Sequence, residues 1–124
     1  MKFRIAAESF EHAVDRARQQ IVAQGLRVVA DVPTSELVNA TGFEVPRTQQ
    51  LFFFRADFMH ALIRDTDEGI LLAPMKLVLR ETANGAIEGL VSSPLARFAD
   101  LPKVARFAAL LEENVQAVVK ALSA

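Results

Sequence analysis

Apolar positions along the chain change period several times, and each change marks an element. Residues 2–6 alternate as a short strand. From Phe10 onward, Phe10, Ala13, Val14, Ala17, Ile21 and Val22 share one helical stripe, while Glu11, Asp15, Arg18 and Gln19 fall elsewhere. Ser9 stands where its hydroxyl can accept from the free amides of that helix's first turn. Gly25 stands where a helix ends in a residue of positive φ. Residues 26–31 then read as a strand. Pro33-Thr34-Ser35-Glu36 is a start signal and Gly42 a stop signal, predicting a short helix between them. Residues 48–54 contain Leu51-Phe52-Phe53-Phe54, apolar at both alternating positions, which suits a strand covered on both faces. Asp57 is placed to cap a short helix running to Arg64, and residues 65–69 form a loop. Strands over 75–82 and 86–92 flank Asn84-Gly85, which reads as a two-residue hairpin turn. Leu95 to Ala99 adds a helical turn. The longest pattern is the last: Val104, Phe107, Ala108, Leu111, Val115, Val118 and Leu122 keep helical spacing over about five turns. Asp100 precedes this helix, and Pro102 is tolerated in its first turn.

Two long amphipathic helices and about five strands predict an α+β fold. The expected form is a two-layer sandwich, with a mainly antiparallel sheet, two long helices on one face and short extra helices. At 124 residues and without a linker, repeat or low-complexity segment, residues 1–124 read as one domain.

Composition narrows the function more by exclusion than by assignment. Hydrophobic residues make up 52% and charged residues 23%, so the chain has a core to bury. With no Cys, disulfides, thiolate metal sites and thiol catalysis are excluded. Lys plus Arg is 14 against 15 for Asp plus Glu, and neither half of the chain is a basic platform, so no nucleic-acid partner is expected. The start of the chain lacks a signal peptide's apolar stretch, and its longest apolar run, Ile70 to Met75, is far short of a bilayer span. The expectation is a cytoplasmic protein with no membrane partner.

Several segments resemble a known family. Gln24-Gly25-Leu26-Arg27-Val28 is similar to its helix–Gly–strand opening. Thr41-Gly42, Pro46 and the Leu51–Phe54 strand match its next block. Ala73-Pro74-Met75-Lys76-Leu77-Val78-Leu79-Arg80-Glu81 resembles its Leu-Pro-Leu-Lys/Arg strand, and Ser93-Pro94-Leu95-Ala96-Arg97-Phe98 leads into a long final helix as it does there. The family is domain-of-unknown-function family 302, small bacterial and archaeal α+β domains, and the likeness runs from about Phe10 to Ala121. It implies a TATA-binding-protein-like β-α-β-β-β-β-α arrangement, an architecture that carries no implication of DNA binding. The family has no settled reaction. Where its members usually have Phe-Gly-Asn-Pro after the central strand, this chain has Phe54-Arg55-Ala56-Asp57, so a ligand site built by that turn in relatives would be altered here.

The candidate chemistry is sparse. A two-residue turn at Asn84-Gly85 would set Glu81 opposite Glu88, Leu79 opposite Leu90 and Leu77 opposite Ser92. Two facing carboxylates can share a proton and split their pKa values, as acid–base chemistry requires; the plainer alternative is two solvated carboxylates. The other hairpin face would carry Lys76, Val78, Arg80 and Val91. Lys76 and Arg80, with Arg55 near the end of the adjacent strand, form a cationic cluster suited to a carboxylate or phosphate, or else the polar part of a dimer contact. His60, after Phe58 and Met59 on a short helix, reads as a half-buried histidine with a backbone partner, or as a general base oriented by Asp57 or Asp65. His12 reads as solvated. Two histidines 48 residues apart without Cys make no metal site, and no motif calls for a cofactor. Phe52, Phe53 and Phe54 read as core rather than as a stacking platform.

The leading expectation is a non-enzymatic homodimeric module that holds a small anionic or amphipathic ligand between sheet and helices. The alternative is an enzyme using His60 or the Glu81/Glu88 pair. A third is an accessory domain that binds another protein through Phe98 to Leu101.

Overall fold

The computed structural model describes residues 1–124. In chain order its elements are β1 (Lys2–Arg4), α1 (Phe10–Ala23), β2 (Arg27–Val32), α2 (Thr34–Asn39), β3 (Thr48–Phe54), α3 (Ala56–Asp65), β4 (Met75–Glu81), β5 (Ile87–Val91), α4 (Pro94–Arg97) and α5 (Ala105–Leu122), with 3-10 turns at Gly69–Leu72 and Pro102–Val104. The five strands form one antiparallel sheet in the order β1-β5-β4-β3-β2. Helices α1 and α5 pack on each other and cover one face of it. This is the expected two-layer α+β sandwich.

Helix starts follow local chemistry. The Ser9 hydroxyl accepts from the His12 amide at the start of α1, and Ser93 accepts from the Ala96 amide at the start of α4. Gly25 ends the first helical segment with φ of 78°. At α3 the expectation fails. Arg55, not Asp57, occupies the cap, and Asp57 lies inside the first turn, accepting from the adjacent Phe58 amide. Helix α5 starts from a 3-10 turn without a side-chain cap.

The sheet's inner face supplies Leu51, Phe53, Met75, Leu77, Leu79, Ile87 and Val91 to a continuous core. The helical stripe Ala13, Val14, Ala17 and Ile21 meets Leu111, Val115, Val118 and Leu122 in the same core. No charged or polar residue is buried. Phe3 lies directly across from Gly89, and its ring occupies the space a side chain at Gly89 would need.

Strand β3 is not covered on both faces. Leu51 and Phe53 are buried, but Phe52 and Phe54 are only half-buried on the outer side, because both long helices lie on the inner side. Val22 likewise sits at the margin of the α1 stripe and is exposed. The two chain ends meet beside β1: Ile5 bridges Ser123, the Ala6 amide donates to the Leu122 carbonyl, and the Ala124 amide donates to Arg4.

Candidate functional site

The β4–β5 hairpin fixes the site, and it turns by a different route from the one its sequence suggests. A two-residue type I′ turn requires positive φ at both central residues. Gly85 has φ of 83°, but no residue other than glycine has positive φ. The chain instead uses a three-residue loop, Ala83-Asn84-Gly85, closed by the Thr82 amide donating to Ala86. The Asn84 side-chain oxygen accepts from the Ala86 amide and from the Thr82 hydroxyl, which holds Asn84 out of the left-handed region.

That single extra residue changes every pair. Arg80 faces Glu88, Glu81 faces Ile87, Leu79 faces Gly89 and Leu77 faces Val91. Glu81 and Glu88 therefore lie on opposite sides of the sheet, and the carboxylate pair expected from the sequence does not form. Glu88 instead accepts from Arg80, with guanidinium–carboxylate distances of 3.0 and 3.1 Å. The same slip moves Val91 to the core and brings Leu90 and Glu88 to the outer face.

The outer face is a row-by-row mixture. Lys2, Leu90, Val78, Gln50 and Val32 cross all five strands in one row, Arg4, Glu88, Arg80 and Thr48 form the next, and Lys76, Phe52 and Ala30 form a third. The Lys76 ammonium donates to the Gln50 side-chain oxygen at 2.9 Å and lies 5.8 Å from the centre of the Phe52 ring. Neither Lys2, Arg4 nor Lys76 has a carboxylate within ion-pair distance. Met1, Lys2, Lys76, Val78, Leu90 and Ser92 border a shallow hollow of about 400 Å³ on this face. The Met1 ammonium is tied down at its rim by the Val91 carbonyl, 2.6 Å away.

Arg55 does not join this cluster. Its odd position in the β3 alternation turns it toward the helices, where it donates to Asp57 at 2.7 Å and to Asn114 of α5 at 2.9 Å. The Arg55 hydrogen bond is the main reason the Asp57 carboxyl lies below the usual range, against an opposing effect of burial. His60 stands exposed on α3, without the half-buried setting its neighbours suggested. His12 is exposed, and its Nδ1 accepts from the Glu8 amide at 3.1 Å. No three His, Asp or Glu side chains converge as a metal site would require. The space between sheet and helices, where a ligand was expected, is tightly packed: clefts around Val115 and around Phe58 each hold only about 10 Å³, room for no more than a single water. Phe98 is buried, its ring centre 4.7 Å from that of Phe58 in a tilted pair, and is no exposed docking residue.

Lys2 and Arg4 were missed in the sequence. The alternation around Phe3 puts them on one side, but nothing in the sequence says that β1 pairs with β5 and delivers them beside Lys76.

The model of a domain of unknown function, DUF302, matches residues 1–122. The chain belongs to the DUF302 family. A crystal structure of an uncharacterized conserved DUF302 protein from Bacillus stearothermophilus superposes with a TM-score of 0.81 at 15% identity, covering 98% of this chain and 96% of that one. At that identity the likeness is one of fold. None of the curated proteins compared matches the chain. No helix of this DUF302 domain is long and apolar enough to cross a membrane.

Proposed function

We propose that this DUF302 domain is a non-enzymatic binding module whose outer sheet face takes a small anion with an apolar part. The observation that carries the reading is the hollow bordered by Lys2 and Lys76, two ammonium groups without a carboxylate partner, over a floor of Val78 and Leu90. Cations left uncompensated beside half-buried apolar side chains favour a ligand that supplies both a negative head and an apolar body. Lys76 is also held in place by Gln50, which lowers the cost of ordering it. Acid–base catalysis has less support: Glu81 and Glu88 lie on opposite faces, and His60 stands exposed on α3.

The chain has no Trp and no Tyr, so an added fluorophore reports binding without background. Anilinonaphthalene sulfonate is expected to brighten on the native protein and to be displaced by octanoate. Lys76→Ala should weaken octanoate by about three- to tenfold, the worth of a solvated charge-assisted contact. Arg55→Ala should leave it unchanged. Equal effects of the two substitutions, or no displacement at all, would remove the site from this face.

A further inference from the structure

We propose that the ligand of this face is a two-headed anion, a dicarboxylate with a short aliphatic spacer, whose second head is held by Arg4. The inference rests on the reading of the Lys2 and Lys76 hollow as an anion site and names the class of ligand that site takes.

The outer face carries a second hollow. Arg4, Thr82, Ala83, Asn84 and Glu88 border about 350 Å³ at the hairpin end of the sheet. This hollow shares no residue with the one at Lys2 and Lys76, yet the two adjoin. Outer side chains run from Lys2 to Arg4 on β1, from Leu90 to Glu88 on β5 and from Val78 to Arg80 on β4. Each step is the two residues that return a strand to the same face. A ligand leaving the first hollow along the strands therefore reaches the second with no row of side chains between.

Charge singles out Arg4 in the second hollow. Glu88 is its one carboxylate, and the Arg80 guanidinium already engages it at 3.0 Å. Arg4 lies opposite Glu88 from the β1 side, is exposed and makes no ion pair. With Arg80 and Glu88 cancelling, Lys2, Lys76 and Arg4 remain as three unanswered charges around the two hollows, and the Met1 ammonium at the rim has the same sign. A single carboxylate would engage only one end of this array. A second carboxylate gives Arg4 the partner that a guanidinium binds best.

Between the cations the floor is aliphatic. Val78 and Leu90 fill the row that separates Lys76 from Arg80 and Arg4, and both are half-buried. Such a floor suits methylene groups and disfavours a polar middle. Lys2 and Arg4 are two residues apart on one strand, and Lys76 and Arg80 four on another. The heads therefore stand roughly 7–14 Å apart, the reach of an extended chain of about six to twelve carbons.

The test compares octanoate with octanedioate, which differ only at the far end of the chain, as displacers of anilinonaphthalene sulfonate. It is run at neutral pH in about 0.15 M salt, where screening limits the pull of cations beyond contact. On the native chain octanedioate should displace at a concentration about three- to tenfold lower, the worth of one more charge-assisted contact. A site for one head alone would show the opposite order, because the second carboxylate would lie against the aliphatic floor. Arg4→Gln should cancel the preference, with octanedioate falling to the level of octanoate or below it. Far-UV circular dichroism confirms that the variant is folded. If octanedioate is no better than octanoate on the native chain, the inference is overturned and the binding reading stands. A preference that survives in Arg4→Gln, even with both acids bound more weakly, overturns Arg4 as the holder of the second head. If neither acid displaces the fluorophore, the binding reading falls and the inference with it.

Discussion

Gly89 illustrates how one residue sets local geometry. A Cβ built there would lie 2.4–2.9 Å from three atoms of the Phe3 ring. The ring lies across the glycine because the β1–β5 register sets Phe3 directly opposite Gly89. Gly89→Ala should therefore destabilise the fold by about 1–3 kcal/mol, the usual range for overpacking, read as a shift in the urea midpoint followed by far-UV circular dichroism. A change below a few tenths would mean that Phe3 swings aside freely. Asn84 is the residue at which sequence reading failed. Asn-Gly is the strongest short hairpin signal, yet it signals equally a turn in which Asn84 takes positive φ and one in which its side chain instead ties Thr82 to Ala86. The second occurs, and only the hydrogen-bond partners distinguish the two. One residue of loop length then decided that Glu88 meets Arg80 rather than Glu81.

Among the elements, α5 does more than fill the core. Its Glu112 accepts from the Ser93 hydroxyl, from the Leu95 amide at 3.2 Å and from Gln116 at 2.9 Å, so it fastens the start of α4. Burial raises this carboxyl, but the bonds from Ser93, Gln116 and the Leu95 amide, with the nearby Met1 ammonium, outweigh it and leave its pKa lowered. A carboxylate whose folded pKa is lowered contributes stability in full above its ordinary value of 4.5 and loses it as pH falls through the lowered value. Glu112→Gln should therefore flatten the loss of stability between pH 6 and pH 3, measured as urea midpoints across that window. Parallel pH profiles for variant and native protein would show that Glu112 contributes nothing there. Strand β4 offers a second test, because its two faces differ. Leu77 is fully buried while Val78 is half-buried on the outer face. Leu77→Ala should cost about 2–5 kcal/mol and Val78→Ala under about 1 kcal/mol. Similar costs would mean that the outer face is packed in solution, as an obligate dimer would require.

At the scale of the whole molecule, the elements and their layering were legible because each rests on local periodicity: the α1 and α5 stripes, the alternation in β4, the glycine after α1. The site was legible only in part. Lys76 and Arg80 share a face because they sit four residues apart on one strand, a matter of local geometry. Lys2 and Arg4 arrive from 70 or more residues away through pairing of β1 with β5, and Arg55 leaves because its parity points it at Asn114. Neither event has a local signal. The open face itself was hidden by Phe52 and Phe54, which read as core because aromatic residues usually are.

The bridge between Ile5 and Ser123 carries one more consequence. Ala124 lies within a hydrogen bond of Arg4, so residues 1 and 124 are separated by little more than the ~10 Å that three strand residues span. In connectivity the domain is nearly a closed ring, and the place where the ring is cut is arbitrary to the packing. A circular permutant joined by about five glycine and serine residues, and opened between Asn84 and Gly85 at the exposed hairpin tip, should keep the native circular dichroism spectrum. It would also free the β4 and β5 ends from each other, making the Arg80–Glu88 register a property the sheet must hold without its loop.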